Sequence, residues 1–262
     1  MPTITLTTDF GLKNGFDGTL KGVVWGICPE ARIADISHMI SPQNVLEGAF
    51  ALWRAYSFFP DGTVHLAVVD PGVGTKRRPM AARLGKHYFV GPDNGLFTPM
   101  YEDAEKNGWP LESVHLTNEK YFLPTVSRTF HGRDIFAPVA AHLAKGVPLA
   151  EFGPAITDPV RLDLPKPEKT ATGWWVHITI IDIFGNLTTD LPAAALTERK
   201  RITFHLRGRE IRGMVDSYGH NQPGDLVALV DSEDFVEIAI VNGSAAQVTG
   251  AQVGDMVEVI TI

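Results

Sequence analysis

The stretch LAVVDPGVGTKRRP, residues 66–79, is an apolar run that ends on Asp70 and is followed by a proline, two glycines and three consecutive bases. A buried carboxylate without a partner is costly to desolvate, whereas one paired with an arginine is tolerated. Two readings follow. Asp70 and a following arginine form a structural ion pair that ties down a turn, or they hold a carboxylate at the mouth of a site.

Outward from this stretch, residues 1–160 read as alternating strands and helices. TITLTTDF (3–10) alternates like a strand and GTLKGVVWGIC (18–28) reads as a helix; ARIADIS (31–37) is a short strand. NVLEGAFALWRAYSFF (44–59) has helical spacing, TVHLAVVD (63–70) and HYFVGPDNG (87–95) are strands, and RDIFAPVAAHLAKG (133–146) is a helix stopped by Gly146. This alternation predicts a layered α/β domain with a largely parallel sheet. Residues 158–172 are proline-rich, charged and aperiodic, and read as a linker. From 173 to 262, WWVHITIID, RITFHLRGREIRGMV, DLVALVD, FVEIAIVN and DMVEVITI are short β-branched runs separated by Gly, Asn or Asp, which predicts a smaller all-β, barrel-like domain.

Composition narrows the function. A net charge of −7 over 262 residues argues against nucleic acid or an anionic membrane as a partner. The single Cys28 excludes an intrachain disulfide and a multi-cysteine metal site and fits a reducing, cytoplasmic setting. No signal peptide and no bilayer-length apolar run is visible.

Several strands deliver an acid near their carboxyl ends: Asp9, Asp35 and Asp70, with Asp93 after a fourth. In open α/β sheets ligands bind at that edge, although Asp is also a common turn residue. Asp9 in TTDFG is suited to the vicinal hydroxyls of a ribose, or to a turn. His131 in TFHGRDIFAP can donate to a ligand or cap the helix behind it, and by itself the cap is the simpler reading. In IDIFGNLTTD, Asp182, Phe184 and Asn186 surround a glycine; a ring to stack on a base and an amide to read its edge would suit adenine, and a β-turn is the default. A metal site from Asp70, His131 and Asp134 is conceivable, but no ligand spacing supports it. P-loop, GxGxxG, HExxH, CxxC and GxSxG patterns are absent.

Together, TTDFG, DISHMISPQNV, VVDPGVGTKRR, VGPDNGLFTP, FHGRDIFAP, DIFGNLTTD and VEIAIVNGSAAQVTGAQVGD resemble, in order and over nearly the whole chain, the S-adenosyl-L-methionine hydrolases, also called hydroxide adenosyltransferases, relatives of the fluorinases and chlorinases. The resemblance implies an N-terminal α/β domain, a C-terminal β-barrel, and a homotrimer with active sites between neighbouring subunits. It also implies metal-independent attack of water or hydroxide on C5′ of S-adenosylmethionine, with no cofactor, the nucleoside sulfonium being substrate. By position it assigns a catalytic triad to Asp70, Arg77 and His131. Ribose binding falls to Asp9, the adenine pocket to Phe184, Asn186 and Tyr218, and the methionine end to Asp182 and Ser232. Halogenating relatives carry an aromatic residue at the position of Asp70, a serine at Gly132 and a tryptophan at Gln43, so these three positions favour hydroxide over halide. Asn14 departs from the acid that relatives place there. The alternatives are a halogenase and a non-catalytic binder of adenosine or S-adenosylmethionine.

Overall fold

The computed structural model describes residues 1–196 and 201–261 and comprises two compact units, residues 1–162 and 163–262. The last residue of the expected strand 255–262, Ile262, lies outside the described residues.

In the first unit the order is β1 (Thr3–Thr8), α1 (Phe16–Ile27), β2 (Arg32–Ser37), α2 (Val45–Tyr56), β3 (Val64–Val68), β4 (Pro79–Leu84), β5 (His87–Pro92), α3 (Thr98–Asn107), β6 (Leu111–His115) and α4 (Ala137–Ala144). The six strands form one sheet in the order β2-β1-β3-β5-β4-β6. β1 runs parallel to β2 and β3, and β3 to β5, while β4 is antiparallel to β5 and β6. The layered α/β reading with a largely parallel sheet therefore holds, with β4 running against its two neighbours. The β4–β5 hairpin, α3 and β6 are additions to the sequence expectation; in PMAARLGKHYFV only the two residues Gly85-Lys86 separate β4 from β5. Gly85 makes that turn at φ +62°.

Both faces of the sheet are covered. Along β3, Val64, Leu66 and Val68 enter the core shared with Leu20 and Val24 of α1 and with α4. Ala67 and the following Val69 enter the opposite core with Leu52 of α2 and Met100 of α3. This period-two division of a fully buried strand explains its unbroken apolar reading. The chain leaves β1 to one side for β2 and returns to the other side for β3. β1 and β3 therefore flank a topological switch point, where open α/β sheets bind ligands.

The stretch 158–172, expected as a linker, is anchored at its start. Val160 N donates to Asp93 (2.8 Å), Leu162 N to Thr98 Oγ1 (2.8 Å), and Arg161 pairs with Glu105 (2.7 Å). Its prolines suppress periodicity without preventing these contacts.

The second unit contains β7 (Glu168–Lys169), β8 (Gly173–Ile181), β9 (Leu187–Pro192), β10 (Ile202–Leu206), β11 (Arg209–Arg212), β12 (Leu226–Val230), β13 (Phe235–Ile240), α5 (Ala245–Thr249) and β14 (Met256–Thr261). The path β11-β10-β14-β8-β9-β13-β12 is antiparallel, with β7 paired to β8. Its ends, β11 and β12, lie against each other, giving a barrel-like sheet around Val176, Phe204, Ile238 and Val257.

Candidate active site

Thr8 of β1 is paired with Val68 of β3, so Asp9 and Asp70 follow two adjacent carboxyl ends at the switch point. Asp70 lies in a turn whose geometry the glycines permit. Gly74 has φ +74°, and a Cβ there would stand 2.3 Å from the Arg128 carbonyl oxygen, so a side chain at this position is excluded. The loop thereby docks on the segment leading to His131.

The three bases of the opening stretch have separate tasks. Arg77 Nε donates to Asp70 Oδ1 (3.0 Å) and Arg77 Nη2 to Asp70 Oδ2, a two-pronged pair with both side chains buried. Its guanidinium also lies 5.3 Å from the centroid of the Phe136 ring. Arg78 turns the other way, to Asp93 (2.7 Å) and Asp158 (2.8 Å). Asp93 is thus structural, and its neighbour Asn94 donates Nδ2 to the Val69 carbonyl (2.9 Å), fixing the residue before Asp70.

Arg77 Nη2 lies 3.2 Å from His131 Nδ1. Guanidinium nitrogens only donate, so Nδ1 accepts and the neutral ring carries its proton on Nε2. Burial, followed by the Arg77 charge, lowers the His131 pKa below the ordinary imidazole value, and Asp70 opposes this more weakly. Among the described residues, the buried Arg77 Nη1 has no hydrogen-bond partner. The residue after His131 opens a π-helical turn, Gly132–Phe136, that runs into α4; such turns recur at functional sites. Beside it Phe10, Phe16 and Phe130 pack edge-to-face, with centroids 5.3–6.0 Å apart. A Cβ at Gly132 would meet Phe10 and Phe130 ring carbons at 3.3 Å.

Asp9 Oδ2 accepts the backbone N–H of Gln43 (2.8 Å), which joins the TTDFG loop to the Gln43 loop. Asp134 is occupied by Ser127 N (2.8 Å) and Arg133 Nε (2.6 Å). Among the described residues, no group of three or more His, Cys, Asp and Glu side chains could hold a metal ion. A chain missed in the sequence runs from Thr8 Oγ1 to His38 Nδ1 (2.8 Å), from His38 Nε2 to Asp35 (3.2 Å) and on to Lys21 (2.6 Å). The Asp35–His38 spacing was its only local signal.

In the second unit, the residues of IDIFGNLTTD form a tight turn. Asp182 Oδ1 accepts from Phe184 N (2.9 Å) and Asn186 N (2.8 Å), and Asp182 Oδ2 accepts from Asn186 Nδ2 (2.9 Å). Phe184 is 73% exposed at the tip, a large ring offered to solvent. Tyr218 donates its hydroxyl to buried Glu237 (2.5 Å); burial first, and then this bond, raise the phenol pKa. Ser232 Oγ donates to Glu233 (2.9 Å). Glu237 was not legible in the sequence, because it sits mid-strand among apolar residues.

An α/β sheet with a carboxylate–guanidinium–imidazole chain at its switch point has the layout of a small-molecule enzyme. The chain belongs to the SAM hydroxide adenosyltransferase family: models of that family's N-terminal and C-terminal domains match residues 4–153 and 176–258. It is 41% identical over 260 residues to an (R)-S-adenosyl-L-methionine hydrolase from Salinispora tropica, spanning 98% of this chain and 97% of that one. It is more distantly similar to a fluorinase from an Actinoplanes species, at 32% identity over 91% of this chain and 90% of the other. An uncharacterized conserved protein from Thermotoga maritima has the same fold, with a TM-score of 0.90 and 34% identity over 99% of this chain and 100% of that chain.

Proposed function

We propose that this protein hydrolyses S-adenosyl-L-methionine to adenosine and L-methionine through attack of water on C5′. The observation that carries the reading is the Asp70–Arg77–His131 chain at the switch point. Its kinship with S-adenosyl-L-methionine hydrolases at 41% identity names the substrate.

In this mechanism the C5′–oxygen bond forms as the C5′–sulfur bond breaks, and the sulfonium leaves as a neutral thioether that needs no acid. The water proton goes to a base. His131 is poorly suited as that base, because its Nδ1 lone pair accepts from Arg77 and its other nitrogen carries a proton. Asp70 retains lone pairs beyond the two used by Arg77 and is the base of this reading. Arg77 holds the carboxylate in one orientation, and His131 orients the water through Nε2–H. A free aspartate, with a pKa of about 3.9, does not generate hydroxide at neutral pH, so the proton moves as the carbon–oxygen bond forms. Asp9 binds the ribose hydroxyls, Phe184 and Tyr218 flank the adenine, Asn186 reads its edge, and Asp182 and Ser232 serve the methionine end. No metal and no cofactor take part in this scheme.

The homotrimer with sites between neighbouring subunits, and the cytoplasmic setting, belong to the same proposal. Among the described residues no helix is long and apolar enough to cross a membrane. The test is chromatography of products after incubation with S-adenosylmethionine, in chelator, with and without fluoride or chloride. Adenosine and methionine in equal amounts under all conditions support the reading. Absence of product means a binder, and a halide requirement means a halogenase. Mixing inactive Asp70→Asn and Asn186→Ala proteins tests the assembly: activity returns after verified subunit exchange only if one subunit supplies Asp70 and its neighbour Asn186.

A further inference from the structure

We propose that Asp182 is a positioning residue that locks the Asn186 amide so that the site accepts 6-aminopurines and rejects 6-oxopurines. This rests on the reading of Asn186 as the residue that meets the edge of the base. An asparagine amide can present either its oxygen or its nitrogen, since the two ends have nearly the same shape. Here one neighbour removes the choice. The Asp182 carboxylate only accepts, and its Oδ2 lies 2.9 Å from the Asn186 side chain, so the NH₂ end must face it and the oxygen must face away. A flip would set two oxygens against each other, one of them charged.

The lock is itself held rigid. Asp182 Oδ1 takes the backbone N–H groups of Phe184 and Asn186, and Asp182 N donates to the Asn186 carbonyl (3.1 Å). Gly185 at φ +82° lets the turn close against Ser244, where a Cβ would lie 2.0 Å from Ser244 Oγ. The Gly185 carbonyl accepts from Ala246 N (2.9 Å), tying the turn to α5. Asn186 is largely buried, so an unmatched polar group against it is not rescued by water. Asp182 therefore spends three of a carboxylate's four or so acceptor sites on this turn, a task separate from any contact with the methionine end. The base-facing atom of Asn186 is an acceptor that welcomes the exocyclic amine of adenine. A 6-oxo group would place oxygen against oxygen, and the second Asn186 N–H remains for a ring nitrogen.

The experiment measures binding of adenosine, purine riboside and inosine to the wild-type protein, Asp182→Asn and Asn186→Ala by calorimetry. Purine riboside carries neither donor nor acceptor at position 6. For the wild type the expected order is adenosine, then purine riboside, then inosine, with adenosine ahead of inosine by about tenfold or more. Asp182→Asn keeps one oxygen to cap the turn but presents NH₂ to Asn186, so the adenosine-over-inosine ratio falls at least tenfold, while purine riboside loses only the ring-nitrogen bond that all three nucleosides share. Inosine binding to the wild type as well as purine riboside does shows that the amide turns freely and overturns the lock, with no variant needed. An unchanged ratio in folded Asp182→Asn overturns it as well. If Asn186→Ala leaves all three affinities unaltered, or no nucleoside binds the wild type, the reading of Asn186 has failed instead.

Discussion

Replacing Asp70 by asparagine changes one atom at the centre of the proposed chemistry. In the native pair, Arg77 Nε and Nη2 each meet a carboxylate oxygen. An asparagine has one oxygen, so its NH₂ must face one of these two donors. One charge-assisted hydrogen bond is lost, at about 1.5–3 kcal/mol, and Arg77 remains a buried cation without its counter-charge. A loss of about 3–5 kcal/mol in unfolding free energy is expected, the range for breaking a buried pair. The catalytic loss is separate from this change in stability, because it is read on the folded variant. A positioned base contributes roughly 10²–10⁴ in rate, so turnover falls by about 3–5 kcal/mol of barrier at about 1.36 kcal/mol per decade. Initial rates of adenosine formation, read by chromatography at saturating substrate, measure the loss. Urea unfolding measures stability, and calorimetry shows adenosine affinity staying within about threefold of wild type, as a group used mainly in the transition state requires. A rate within fivefold of wild type for the folded variant refutes the assignment of Asp70 as base.

Asp9→Ala should weaken adenosine far more than 2′,3′-dideoxyadenosine in competition binding, because only the former offers the vicinal hydroxyls; equal losses would reduce Asp9 to its bond with Gln43 N. The His131 pKa is lowered by burial and by Arg77, so protonation reaches Nδ1 only below the ordinary imidazole range. The pH–rate profile should therefore be flat through neutrality with an acid limb below about 6.5, and His131→Asn should remove that limb. His65 is wholly buried between Thr5 (2.7 Å) and His87 (3.3 Å), and burial, then the His87 charge, lower its pKa to about 3. The unfolded chain binds the extra proton, so this contribution to stability is complete above pH ~6.5 and is lost as pH falls toward 3, by roughly 2–3 kcal/mol at pH 4.5. Urea midpoints from pH 7 to 4.5 should fall more steeply for wild type than for His65→Gln. Gly132→Ser meets two phenylalanine rings at 3.3 Å and should cost about 1 kcal/mol of stability without yielding halogenated product when halide is supplied.

The sequence by itself determined the layered α/β unit and the β-rich unit after it, because period-two and helical hydrophobic patterns are local and record which face of each element is buried. It also marked the loops that carry chemistry: TTDFG, DPGVGTKRR, FHGRDIF and DIFGN are unusual enough in composition and order to show a family resemblance. It did not show the β4–β5 hairpin, whose turn is two residues long, nor the order β2-β1-β3-β5-β4-β6 that makes a switch point beside Asp9 and Asp70. Motif position, through the family resemblance, picked Arg77 over Arg78, and tertiary packing supplied the physical cause. The two are neighbours of identical chemistry, and the turn at Gly72–Gly74 sends one to Asp70 and the other to Asp93 and Asp158. His131 reaches Arg77 across 54 positions, and Tyr218 reaches Glu237 across 19. Composition and periodicity carry no record of such pairs, because a hydrogen bond depends on distances of about 3 Å, which exist only after the elements have packed.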